Sequence, residues 1–161
     1  IGASGDTTNI IGTLQNDGAA VGGTNTPAFS AYQASQTISD LTSTRLVFGT
    51  ELYDTDSAYD VSTGRFTVPS GKAGKYFFHT KYRISNDSGY IQVEFYKNGS
   101  EYLGGAMREE NGYSVSRYFS VATSFSDSLS VGDYIESYAY MGVGNTNALV
   151  HLTFTGFKLV E

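Results

Sequence analysis

Between Lys75 and Ile84 the chain alternates in character. Tyr76, Phe78, Thr80, Tyr82 and Ile84 fall on one side, and Lys75, His79, Lys81 and Arg83 fall on the other. Successive side chains of an extended chain point to opposite faces, so a period of two with one apolar side describes a strand with one face on a core and the other in water. Wound as a helix, the same residues would scatter their rings around the whole circumference. Ile91, Val93 and Phe95 alternate in the same way with Gln92 and Glu94, and the run stops at Lys97-Asn98-Gly99-Ser100. Asn-Gly supplies the two positive-φ positions of a tight hairpin turn. Tyr113, Val115, Phe119, Val121 and Phe125 share one parity against Ser114, Ser116, Ser120, Ser124 and Ser126, with Arg117 interrupting the apolar side.

The last segment shifts parity. Val150, Leu152 and Phe154 lie on one side, but past Thr155-Gly156 the apolar positions become Phe157 and Leu159. One inserted residue would return both sets to the same face, which predicts a β-bulge at Gly156. Further turns are signalled at Ser62-Thr63-Gly64, Pro69-Ser70-Gly71, Asn86-Asp87-Ser88-Gly89, Asn111-Gly112 and Val131-Gly132-Asp133. No segment carries a helical period. The expectation is an all-β domain of about eight to ten antiparallel strands, a sandwich or barrel, with a jelly roll closing most of its edges.

Length and composition limit what this fold can do. A chain of 161 residues suffices for one core without metals or disulfides, and cysteine is absent. The formal charge of −6 disfavours phosphate backbones, so no nucleic-acid partner is expected. No apolar run reaches the roughly 18 residues of a spanning helix, so no membrane insertion is expected, and Ile1–Asp6 shows no signal peptide. Residues 1–26 read as an extended arm of Gly, Thr, Asn and Ala, with Ile10, Ile11 and Leu14 as its apolar patch, and residues 27–161 read as the domain. The arm is a linker or tail, or else a docking peptide that attaches the domain to a larger assembly through that patch.

Within the domain several motifs occur in an order that carries a family resemblance. Ala28-Phe29-Ser30-Ala31, Val47-Phe48, Tyr59-Asp60 and Thr63-Gly64-Arg65-Phe66-Thr67-Val68-Pro69 come first. Gly74-Lys75-Tyr76-Phe77-Phe78, Tyr96-Lys97-Asn98-Gly99, Leu129-Ser130-Val131-Gly132-Asp133 and Phe154-Thr155-Gly156-Phe157-Lys158-Leu159 follow. Together they resemble the globular head of complement component 1q, over about Ala28 to Val160. The resemblance implies a ten-stranded jelly roll of the tumour-necrosis-factor type, assembled as a homotrimer, that recognises ligands or caps fibres and is not an enzyme. Val68 stands where the family often has cysteine, and no collagen-like repeat precedes the head. Both departures point toward the bacterial and bacteriophage heads that cap fibres or decorate particles.

The residues themselves offer little chemistry. His79 and His151 sit inside predicted strands without a partner pattern, no Gly-x-Ser-x-Gly elbow is present, and Glu109-Glu110 reads as part of a solvated turn. No cofactor is expected. Asp54, Asp56 and Asp60 form an acidic cluster of the hard oxygen ligands that calcium uses, but they lack the rest of an EF-hand and read first as solvated loop acids. Lys75, His79, Lys81 and Arg83 could face an anionic glycan or an acidic patch on a neighbouring subunit, and otherwise form the wet side of a strand. Asn86-Asp87-Ser88 and Asn98-Gly99-Ser100 fit both glycosylation and turns. Tyr90, Tyr96, Tyr138 and Tyr140 lie beside the apolar set, where a lone monomer would expose their rings; they are expected at trimer contacts, against the simpler reading that strands are rich in tyrosine. The expected role is a virion-surface fibre tip, decoration or receptor-binding head, joined through its arm to a capsid, tail or fibre protein. The alternative is a secreted or cell-surface domain that binds protein or glycan ligands.

Overall fold

Strands run through the alternating segments Lys75–Ile84, Ile91–Phe95 and Phe119–Phe125, and Tyr113, Ser114, Val115 and Ser116 of the last run lie outside the described residues. The protein is described by a computed structural model covering residues 15–16, 19–20, 25–86, 89–111 and 117–160. In chain order the elements are β1 (Gln15–Asn16), β2 (Ala19–Ala20), β3 (Ala28–Ile38), β4 (Thr44–Arg45), β5 (Thr50–Asp54), β6 (Tyr59–Asp60) and β7 (Arg65–Thr67). Then come β8 (Gly74–Asn86), β9 (Gly89–Lys97), β10 (Ser100–Asn111), β11 (Arg117–Leu129), β12 (Tyr134–Gly142) and β13 (Asn147–Val160). β1 and β2 pair with each other, and the candidate attachment residues Ile10, Ile11 and Leu14 lie outside the described residues.

The other strands form two antiparallel sheets. One runs β10-β9-β12-β7-β6 with β4 also on β12, and the other runs β11-β8-β13-β3-β5. That makes eleven strands in the sandwich among the described residues, against the ten expected, with β4 contributing only two residues. The chain crosses between the sheets at every connection from β3 to β13 except β6–β7 and β9–β10, where it turns back within the six-stranded sheet. The β9–β10 hairpin is the Asn-Gly turn, with φ of 54° at Asn98 and 80° at Gly99.

Rings fill the space between the sheets. Phe29, Phe78 and Phe154 come from the five-stranded sheet, Phe66 and Phe95 come from the six-stranded one, and all five are fully buried. Ring centroids lie 5.2 Å apart for Phe29–Phe66, 5.2 Å for Phe66–Phe78 and 4.6 Å for Phe95–Phe125, so these contacts bridge the layers. Polar atoms in this space are paired. The Thr80 and Ser137 hydroxyls meet across the sheets at 2.9 Å, and Thr80 also lies 3.1 Å from the Thr153 carbonyl. A loop without sheet pairing carries Leu46 and Phe48 into the core, held because the Gln36 amide donates to Arg45 O and accepts from Val47 N.

The expected bulge at Gly156 is not there. Gly156 pairs in unbroken register with Phe29 on β3 and Phe78 on β8. The breaks flank it: β13 takes three steps from Val150 to Thr153 where β8 takes two, with His151 at φ 54°, and a second shift follows Lys158. Gly156 keeps the inward parity because its missing side chain is where other rings sit. A Cβ there would stand 2.4 Å from Phe78 Cδ1 and 2.9 Å from Phe29 Cε1. Phe157 therefore faces outward against Phe77, 5.5 Å between centroids, and Leu159 is exposed.

Replacing Gly156→Ala should thus cost about 1–3 kcal/mol through overpacking. Phe154→Ala should cost about 3–5 kcal/mol through the cavity it leaves. Urea unfolding measures both, and an unchanged midpoint for Gly156→Ala would contradict the ring packing described.

Candidate functional site

Alternation on β9 and β12 sends the odd-numbered side chains into the core and the even-numbered ones outward. In register, Tyr90 stands opposite Gly142, Gln92 opposite Tyr140, Glu94 opposite Tyr138 and Tyr96 opposite Glu136. Two of these outward residues are nonetheless buried: Glu94 is 5% exposed and Glu136 1%. Tyrosine stacking accompanies this burial. Tyr96 and Tyr138 stack at 3.8 Å, Tyr90 and Tyr140 at 5.9 Å, and all four rings are half-buried. Tyr90 also lies across Gly142, where a Cβ would come within 2.4 Å of the ring.

The two carboxylates have different partners. Glu136 Oε1 accepts from Arg45 Nη1 at 3.0 Å, Arg65 Nε at 3.2 Å and Arg65 Nη2 at 3.0 Å, and the Arg65 guanidinium covers the Tyr134 ring at 3.7 Å. Glu94 accepts from the Ser43 hydroxyl at 3.3 Å and from the Gln92 amide, both neutral donors, and it has no ion pair among the described residues. Burial pushes the Glu94 carboxyl above its ordinary value, and the charge of Glu101 adds to this, while the bonds from Ser43 and Gln92 pull it back. Around Glu94 lies a depression of 360 Å³ walled by Tyr90, Tyr96, Tyr140, Ser43 and Glu101.

The other sequence candidates are placed as follows. Asp54 accepts from the backbone N–H of Asp56, Ala58 and Tyr59, which fixes its own loop. Asp60 accepts from Ser62 and Thr63, bonds that hold its carboxyl down at about 2, and Asp56 pairs with Lys72 at 3.2 Å. These carboxylates organise turns and do not converge, and no group able to hold a metal occurs among the described residues, so the geometry does not fit calcium at this cluster. Asn98 Nδ2 donates to Asp133 at 2.8 Å and its Oδ1 accepts from Tyr134 N at 2.9 Å, so this amide serves the turn; Asp87 and Ser88 lie outside the described residues. Glu109 and Glu110 pair through their backbones with Ile91 and Tyr90 inside β10, not in a turn. His79 is half-buried, and burial first and Lys81 second lower its basicity; His151 is exposed. Arg83 lies over the Tyr118 ring at 4.6 Å.

Sequence reading named the tyrosines but missed Ser43, Glu94, Glu101 and the arginine-bound Glu136. The available signal was a carboxylate at the same parity as Tyr90 and Tyr96, inside a strand whose other face is apolar from Ile91 to Phe95.

Two substitutions separate the carboxylates. Glu136→Gln leaves two guanidinium groups facing a neutral amide and should cost about 1–3 kcal/mol. For Glu94 the folded-state pKa is raised, so its protonation-linked stability is fully present below the unfolded value near 4.5 and is lost as pH rises through the folded value. Glu94→Gln should therefore melt higher than the wild type at neutral pH, with the gap shrinking toward pH 4.5; a gap that widens on acidification would contradict this.

Comparisons with known proteins agree with the architecture. Among curated proteins none matches this chain in sequence. Among solved structures the chain is similar to the globular domain of zebrafish complement 1qA, with TM-score 0.56 and 21% identity over 84% of this chain and 98% of that one. It is also similar to Eiger TNF from S. frugiperda, with TM-score 0.58 and 12% identity over 83% and 92% of the two chains. The family model of the C1q domain matches residues 28–159. From Phe29 at the start of that span to Phe154 near its end, the residues that pack this sandwich lie inside the matched region, and the chain belongs to the C1q-domain family.

Proposed function

We propose that the chain is a non-enzymatic recognition head that works as a homotrimer. The observation that carries the reading is the difference between the outer faces of the two sheets. On the six-stranded sheet, the four tyrosines expected at subunit contacts are half-buried by stacking within their own chain. On the five-stranded sheet, large apolar groups stand in water: Tyr118 and Leu52 are each 65% exposed, Tyr53 is 50% exposed and Tyr32 39%. Tyr32 and Leu52 line one mainly apolar depression of 450 Å³ together with Lys81 and His151. An exposed aromatic and aliphatic face of this kind is what a subunit contact covers. The proposed contact therefore moves from the Tyr90, Tyr96, Tyr138 and Tyr140 row to this face, where the row of Lys75, His79, Lys81 and Arg83 meets a sister subunit. The non-enzymatic reading is supported by the family and by the absence of a nucleophile motif from the sequence.

Two settings suit such a head. The Gly-, Thr- and Asn-rich segment 1–26 with Ile10, Ile11 and Leu14 supports attachment to a capsid, tail or fibre protein at a virion surface. The likeness to an animal complement head and an animal TNF supports an extracellular recognition domain binding protein or glycan ligands. The genes flanking this one separate the two: virion structural genes support the first setting, and a cellular secretion context the second.

Sedimentation equilibrium at micromolar concentration should return three times the 17.3 kDa chain mass. The double variant Leu52→Asp, Tyr118→Ser should sediment as a folded monomer, whereas Tyr138→Ser should remain trimeric. A wild-type monomer under these conditions would sink the reading.

A further inference from the structure

The outer face of the six-stranded sheet carries two buried carboxylates, and one of them has no ion pair among the described residues. Glu136 is met by two guanidinium groups. Glu94, 5% exposed, is met by a hydroxyl and an amide. Removing a carboxylate from water is costly unless a cation or a full set of donors replaces the solvent, and two neutral donors on one carboxylate are a partial replacement. Glu101 lines the same depression and adds charge of the same sign instead of cancelling it. Tyr90, Tyr96 and Tyr140 complete its wall. Aromatic rings around a desolvated carboxylate make a site for an organic cation, which gains from the ring faces and from the ion pair together.

We propose that this depression binds a lysine or arginine side chain presented by a partner protein, with Glu94 as its ion-pair partner, Glu101 as a second carboxylate at the rim, and the tyrosines as its walls. The volume of 360 Å³ admits the end of one long side chain. A divalent metal would require about six to eight oxygen ligands, and no metal-holding group occurs among the described residues. An anionic ligand would meet Glu94 and Glu101 head-on. A neutral sugar would leave the charge of Glu94 as it stands. The net charge of −6 further favours a basic partner during encounter. Among the described side chains, the charged groups around Glu94 are Glu101 from β10 and Glu136 with Arg45 and Arg65 across β12; the backbone register pairs Arg108 of β10 with Gln92.

The proposal deepens the recognition-head reading and rests on it, and it is tested on the full chain by fluorine NMR with 3-fluorotyrosine. The probes are N-acetyl-lysine amide, N-acetyl-arginine amide and the neutral N-acetyl-norleucine amide, titrated through the millimolar range. The expected result is saturable shifts of a subset of tyrosine signals with the two cationic probes and none with the neutral one. Glu94→Gln, which keeps the shape and both neutral hydrogen-bond partners, should weaken cation binding about tenfold or more. Tyr96→Leu, which keeps the carboxylate, should weaken it less, and Asp60→Asn on the far loop should leave it unchanged. Equal binding of the neutral probe, or unchanged affinity in Glu94→Gln, would overturn the proposal. Binding seen with Arg108→Gln but not with the wild type would also overturn it, by giving the site to the chain's own arginine. Sedimentation of the same samples reports assembly separately, so loss of the trimer and loss of cation binding are distinguishable.

Discussion

Ring contacts between the two sheets are the constraint from which the other features follow. Phe66 and Phe95 reach down from one layer, and Phe29, Phe78, Phe125 and Phe154 reach up from the other, with centroids about a ring's width apart. A layer this crowded cannot accept a side chain at every inward position. Gly156 supplies the gap under Phe78 and Phe29, and Thr80 and Ser137 fill the narrow place where two hydroxyls can bond each other. Since packed interiors tolerate neither voids nor overlap, the register of β13 between β3 and β8 is fixed by where those rings lie. The backbone irregularities are displaced to His151 and to the stretch after Lys158.

This explains which parts of the fold were legible in the residues. Tyr76, Phe78, Thr80, Tyr82 and Ile84 fixed the face of β8, and Asn98-Gly99 fixed the hairpin, because both depend on local periodicity or local φ. The bulge was misplaced because parity counting treats glycine as neutral. Gly156 was in fact an inward residue whose side chain was replaced by two neighbours' rings. Nothing local distinguishes a glycine that bends a strand from one that makes room for a partner forty or more residues away in sequence. The extra strand in the sandwich has a similar origin: Thr44–Arg45 is too short to show a period, and it pairs with β12 beside a loop that Gln36 pins.

The candidate site was half legible for the same kind of reason. Even positions on β9 and β12 announced an outward face, and tyrosines there announced an apolar surface. Their state was not announced, because whether Tyr96 meets water or Tyr138 depends on the pairing of two strands about forty residues apart. Once paired, the rings cover the positions between them, and a glutamate that alternation assigns to water becomes buried. The acidic loop shows the converse. Asp54, Asp56 and Asp60 look like a ligand set in one dimension, yet each carboxylate is used by nearby N–H groups, hydroxyls or Lys72, since Asp readily bonds the backbone a few residues on.

The two outer faces therefore divide the work of the domain by the way each treats its polar and apolar groups. The five-stranded face leaves Tyr118, Leu52 and Tyr53 in water and sets a cationic row beside them, so its unfavourable exposure is relieved by covering it. The six-stranded face has already stacked its rings and neutralised Glu136, so a flat covering would gain little there. Among the described residues, it offers no positive charge to Glu94. A surface short of apolar cover suits a broad subunit contact, and a surface short of a single charge suits a ligand that brings that charge on a narrow stem. Because β9 and β12 are neighbours inside the sheet, paired on both sides, the carboxylate and its tyrosine walls are held by backbone ladders and not by loops, which spares the site the ordering cost that weakens recognition by mobile segments.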